Sequence, residues 1–212
     1  MPHVSDSDPY PWPYDDRLDG DRLALLITGA QVHWLARSTE VTSVLATLTR
    51  LAVAVRRAGG TCLAIRHGVS PSLAATGRRP HLPAVGTDAW QLGLGDLRVD
   101  HVVDASGLDG FTGSELDPLL HHLGRDHLLL GGFASEATVD STLRSANDRG
   151  FECLVVTDGC APFDPVLGAR AHSSVTMSGG IFGAIGRSDA VIAALSGSDA
   201  LIPSTPRTAE AP

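Results

Sequence analysis

The sequence predicts an α/β protein in three layers, a mostly parallel central sheet with helices on both faces. Two observations carry this. Apolar runs of strand length alternate along the chain with stretches of helical periodicity, the pattern of parallel strands joined by crossover helices. The first run, Leu23 to Thr28, is continuously apolar, as a strand buried on both faces is.

The elements follow in order. A first helix is expected from about Thr39 to Arg57, with Val44, Leu48, Leu51 and Val55 recurring at threes and fours, and Gly59-Gly60 ending it. Thr61 to Arg66 is the second strand. Residues 67–100, rich in Gly, Pro and polar groups, read as a long loop that either has a job, here supplying part of a pocket wall, or hides short elements. His101 to Asp104 is a short third strand. Thr112 with Glu115 reads as a capping box for a helix to Leu123. His127 to Gly131 is the fourth strand, and Ser135 is placed to cap a helix to Arg149, ended by Gly150. Phe151 to Thr157 is the fifth strand, 165–175 a helix, Val175 to Met177 a short edge strand, and Ser188 or Asp189 starts a last helix through Leu195.

Three regions result: an arm (1–22), a domain (23–198) and a tail (199–212). In the arm Pro9, Pro11 and Pro13 alternate with Tyr10, Trp12 and Tyr14, which suits an extended segment packed on its own domain or crossing to a neighbouring subunit.

Composition narrows the function classes. The 212 residues carry 24 acidic and 16 basic side chains, a formal charge of -8. No basic patch is visible, so nucleic acid is not an expected partner, and no apolar run approaches the length that spans a bilayer. Every basic residue is arginine, which excludes Schiff-base chemistry, a lysine base and a P-loop. Cys62, Cys153 and Cys160 show no framework spacing, so free thiols in the cytoplasm are expected.

In parallel sheets ligands bind beyond the carboxyl ends of the strands. The segment Gly131-Gly132-Phe133-Ala134-Ser135-Glu136-Ala137-Thr138 leaves such an end and starts a helix. Its small residues let the backbone turn tightly. The N–H groups of Ala137 and Thr138 are candidate donors to an oxyanion or carboxylate, or belong to a capped helix with no ligand.

Residues 131–150, GGFASEATVDSTLRSANDRG, resemble the nucleophile segment of the isochorismatase-like cysteine hydrolases. FECLVVTDGCAPFDP resembles the strand and loop after it, and PYPWPYDDRLD, RLALLITGAQ, His101 to Asp104, Gly110 to Gly113 and Val175 to Ala190 resemble further parts. The resemblance spans about residues 9–198 and is strongest to the branch of biuret hydrolase, ureidoacrylate amidohydrolase and N-carbamoylsarcosine amidase. It implies a Rossmann-like three-layer fold and an aspartate, a lysine and a cysteine as the catalytic set. Here Thr28 stands at the aspartate, Ala105 at the lysine and Thr138 at the cysteine. A threonine hydroxyl is far more basic than a thiol, Thr28 is no base at neutral pH, and Ala105 brings no positive charge. Amidohydrolase activity is therefore expected to be absent.

Three readings stand. The chain is a degenerate member that binds a small polar or anionic ligand or a partner. Or it is a repurposed enzyme, acting without covalent catalysis on an unusual amide, ester or natural-product intermediate, with Asp104, Asp109 or His33 moving protons. Or it is a structural subunit paired with an active relative. Phe133, Ala134, Ala137, Thr138, Trp34 and Trp90 are the candidate ligand-binding residues. His67 and His81 complete no metal pattern with His33, so neither metal nor cofactor is expected. The resemblance also implies a homodimer or homotetramer, with a hetero-oligomer the alternative.

Overall fold

The computed structural model describes residues 3–14, 17–77, 82–177 and 179–199. Six strands form one sheet in the order β3-β2-β1-β4-β5-β6, and every pair is parallel. They are β1 (Leu23–Thr28), β2 (Thr61–His67), β3 (His101–Ala105), β4 (His127–Phe133), β5 (Glu152–Ala161) and β6 (Ala184–Gly186). The chain builds outward from β1 through β2 to β3, then returns to the other side of β1 with β4 and continues to β6. The order thus reverses between β1 and β4. The carboxyl ends of that pair, where Thr28 lies in register with Gly132, are the switch point at which such sheets open a crevice.

The helices are α1 (Val32–Leu35), α2 (Val41–Arg57), α3 (Pro71–Ala74), α4 (Leu116–His122), α5 (Thr138–Asn147), α6 (Pro165–Met177) and α7 (Ser188–Asp199). On one face, Leu48 and Leu51 of α2 and Val191 and Leu195 of α7 pack with Leu25, Ile27 and Leu129. On the other, Leu116 and Leu120 of α4, Val139 and Leu143 of α5 and Val175 of α6 pack with Leu26, Ile65 and Leu130. All six residues of β1 are buried, as its uninterrupted apolar run requires.

The 67–100 segment hides two short elements, α3 and a 3-10 turn at Asp88–Trp90. Other local expectations are corrected. The helix α4 starts at Leu116 without a side-chain cap. The Thr112 hydroxyl instead donates to Asp109, and Ser114 Oγ accepts from the Leu116 N–H. Ser135 does not cap α5, whose cap residue is Ala137. β5 runs on to Ala161 because its register to β4 shifts: Val155 faces Leu130, and Cys160 faces Gly132. The extra residues bulge out, and Asp158 within them accepts from the Ser188 N–H (2.8 Å) and hydroxyl (2.6 Å), fixing the start of α7. Val175 to Met177 belong to α6, and the edge strand is Ala184–Gly186.

The described arm packs on its own chain. Val4 and Trp12 are fully buried, Asp8 exchanges two backbone hydrogen bonds of 2.9 Å with Ile185 along the outer edge of β6, and the Tyr10 hydroxyl donates to Glu152. The open backbone edge of β6 is thereby covered within one chain. The tail from residue 200, and His81, lie outside the described residues.

Candidate functional site

β1 ends at Thr28 and α5 begins at Thr138, and the two side chains meet. Their hydroxyl oxygens are 2.8 Å apart, with both residues fully buried. Thr138 Oγ1 also lies 2.7 Å from the Phe133 carbonyl oxygen, which can only accept. A hydroxyl has one proton, so Thr138 donates to Phe133, and Thr28 donates to Thr138. This approach depends on Gly132, at φ 140°, where a Cβ would fall 1.9 Å from the Thr28 carbonyl oxygen.

The turn between β4 and α5 closes the helix start. Ala134 is a non-glycine residue in the left-handed region, with φ 53°. Its carbonyl oxygen accepts from the N–H groups of both Ala137 and Thr138, each at 2.8 Å. The two donors expected to face a ligand therefore hold a carbonyl of their own chain. An oxyanion entering there would have to displace Ala134, because a backbone donor already paired inside a buried turn has no second proton to offer. Phe133 and Ala134 are themselves buried, as walls of this turn.

Ala105 ends β3 in register with His67 of β2, while Ile65 lies in register with both Thr28 and Val103. Side chains two apart on a strand share a face, so Ala105, His67 and Thr28 lie on one face at one edge of the sheet. The methyl of Ala105 is nearly buried and brings no charge to that face.

Beside it stands a polar group that sequence reasoning did not assemble. The Gln31 amide is buried: its oxygen accepts from the His67 N–H (2.7 Å), and its nitrogen donates to the carbonyls of His67 (3.0 Å) and Trp90 (2.9 Å). Gln31 thus clamps the end of β2 to the 3-10 turn. His67 Nδ1 lies 3.0 Å from the Gly107 carbonyl oxygen, so Nδ1 carries the proton and Nε2 is a bare acceptor. Burial outweighs this hydrogen bond and the nearby Asp109, pulling the imidazole pKa down to about 4, and the ring is neutral at pH 7. The Trp34 ring meets the His67 ring edge-on at 5.7 Å, and Gly68 lies against Trp90 Nε1. His67 Nε2, Trp34 Nε1 and Trp90 Nε1 are all buried without a hydrogen-bond partner. The quoted motif contained Gln31, but its role depends on a turn that carries no periodic signal. In the sequence, His67 offers only a possible metal ligand.

The candidate proton-transfer residues each have structural contacts of their own. Asp104, next to Ala105, points to the opposite face and forms a two-pronged pair with Arg66 (2.6 and 2.9 Å), whose guanidinium stacks on Trp90. Asp109 accepts from the Phe111 N–H and the hydroxyls of Thr112 and Ser145, tying its loop to α5. His33 is half-buried and packs edge-on to Trp34. No group of three His, Cys, Asp or Glu with metal-binding geometry occurs among the described residues. The three thiols are buried, and desolvation raises each pKa, that of Cys62 and Cys160 to about 12. At pH 7 a thiol with that pKa is ionised to about one part in 10⁵, so none is an activated nucleophile.

The model of the isochorismatase domain family matches residues 23–184. Among solved structures, a cysteine hydrolase from Pseudomonas syringae pv. phaseolicola superposes with a TM-score of 0.75 at 15% identity, over 86% of this chain and 96% of that one. An isochorismatase family protein from Burkholderia thailandensis gives 0.73 at 23%, over 85% and 98%. A putative hydrolase of the isochorismatase family from Chromobacterium violaceum gives 0.68 at 21%, over 87% and 99%. At these identities the structures attest the shared α/β fold, and the family match over most of the chain supplies the rest: the chain belongs to the isochorismatase family.

Proposed function

We propose that this family member is not a cysteine amidohydrolase and that it binds a small, neutral, polar ligand at the carboxyl edge of β1 and β2. The observation that carries the first half is the closed turn at 133–138. The helix-start N–H groups hold the Ala134 carbonyl, and the hydroxyl at the nucleophile position donates to Phe133. Acyl transfer needs a nucleophile with a base beside it and free donors for the oxyanion. Here Thr28 acts as donor to Thr138, the reverse of a base. The resemblance of the sequence to the biuret hydrolase branch supports the same reading, since it puts Thr28, Ala105 and Thr138 at the positions of that branch's aspartate, lysine and cysteine.

The ligand half rests on His67, Trp34 and Trp90. Buried polar atoms ordinarily find partners, and an imidazole acceptor edge-on to Trp34, with the Trp90 indole N–H near Gly68, suits a molecule carrying both a carbonyl oxygen and an N–H or O–H. A neutral His67 offers no charge to an anion, so the expected ligand is uncharged. Trp34 and Trp90 thus keep a place in the binding site, while Ala137 and Thr138 leave it. We place the protein in the cytoplasm, on its three unpaired thiols.

Titration of ¹⁵N-labelled full-length protein with propionamide tests this. The account expects the His67 Nε2 and the Trp34 and Trp90 indole resonances to move together and saturably, with propionate inert. Unmoved resonances at saturating amide, or equal response to propionate, would refute the site. The His67→Phe variant should lose the response while keeping its fold by circular dichroism.

A further inference from the structure

A second site lies on the other side of the molecule, between α2 and α7. The two helices leave a groove of about 450 Å³ on the face they share above the sheet. Its floor is apolar: Val53 and Ala54 from α2, Ile192 and Leu195 from α7. Val53 is 43% exposed, although it sits mid-helix beside fully packed neighbours. On the same wall stand Arg50 and Arg57, seven residues and so two turns apart, about 10 Å along one helix face.

The charge pattern of this groove suits an anion. The chain has 24 acidic residues against 16 basic ones, and several arginines elsewhere meet carboxylates: Arg22 with Asp126, Arg66 with Asp104, Arg144 with Asp140. Arg56, adjacent to Arg57 but facing away, pairs with Asp100. Among the described residues Arg50 and Arg57 have no such pair, and the groove lining holds no acidic residue. Two unpaired guanidinium groups over an apolar floor complement an anion with an apolar body. The volume lies within the range of small-molecule sites, about 300–1,000 Å³.

We propose that this groove binds an amphiphilic carboxylate of medium chain length. Its alkyl chain lies on Val53, Ala54, Ile192 and Leu195, and its carboxylate takes two parallel hydrogen bonds from Arg50. Arg50 is the anchor rather than Arg57 because Arg57 is the last residue of α2, where the carbonyl end of the helix dipole already favours its cation and repels an anion. The site is independent of the carboxyl-edge ligand, so either can fail alone.

Octanoate titrated into full-length, methyl-labelled protein below its micellar range is the test. The expected result is a saturable shift of the Val53, Ile192 and Leu195 methyl signals, with the His67 and Trp34 signals still. Arg50→Gln should weaken binding about tenfold or more, Arg57→Gln less, and 1-octanol should bind about tenfold more weakly than octanoate. Equal binding of 1-octanol and octanoate would overturn the proposal, as would an unaffected Arg50→Gln variant or methyl signals that do not move. So would nuclear Overhauser contacts between Val53 and Leu201 or Ile202 in the unliganded protein, because the groove would then be filled by its own chain.

Discussion

Thr138 gives its single hydroxyl proton to Phe133 and takes one from Thr28, so the two threonines work as a relay of hydrogen bonds inside the core. Removing one hydroxyl leaves the others unpaired in a dry site. Thr138→Val is expected to cost about 1–3 kcal/mol, because both the Phe133 carbonyl and the Thr28 hydroxyl lose their partner. Adding Thr28→Val to it should cost less than the sum of the two single changes, a coupling that denaturant unfolding of the four proteins measures. A second residue-scale consequence concerns His67, whose pKa is about 4 in the fold against an ordinary 6.5. Between those values the unfolded chain binds more protons than the folded one. The stability that His67 contributes is thus whole above pH 6.5 and falls as pH drops towards 4. Unfolding at pH 7.5 and at pH 5 should show about 2 kcal/mol lost to this group, and His67→Phe should flatten that part of the slope. That Thr28 and Thr138 meet at one strand end was legible in the order of the segments around them. The hydrogen bonds were not, since the direction of a hydroxyl depends on carbonyls that only the folded turn brings near.

At the scale of elements, the turn from β4 into α5 decides what the site can do. Gly132 lets β4 pass against β1, and Ala134 turns its carbonyl back over the helix start. Gly132→Ala would set a methyl 1.9 Å from the Thr28 carbonyl oxygen, at a φ of 140° that side chains rarely adopt. A loss of about 4 kcal/mol or more, or failure to fold, is expected, and the thermal midpoint reads it. Strands with strong apolar runs, β1, β2 and β4, were legible within two residues. β6 was missed because Ala-Ile-Gly has one β-branched residue in three, while Val175 to Met177, richer in β-formers, completes α6. The end of β5 was missed because a bulge inserts residues that alternate with no face. Ser135 had the right residue type for a cap, but the left-handed Ala134 moves the helix start past it.

For the whole molecule, the reversal of strand order between β1 and β4 puts both threonines at the one place where the sheet opens. The arm covers β6 within its own chain, so it does not by itself demand a neighbour. Self-association is still expected, because α6 and the turn after it leave Val166 at 59%, Met177 at 80% and Ile181 at 66% exposed. Light scattering should give twice the chain mass of 22.1 kDa, and a monomer mass at micromolar concentration would contradict this. The central claim is that the closed turn at 133–138 carries no cysteine-hydrolase chemistry. Ammonia release from biuret, ureidoacrylate and nicotinamide, measured beside an active family member, tests it most directly. The account predicts no turnover above background for the native protein. It predicts none for Thr138→Cys either, because neither base nor cation returns and the N–H groups still hold Ala134. Turnover by the native protein comparable to that of the active relative would contradict it.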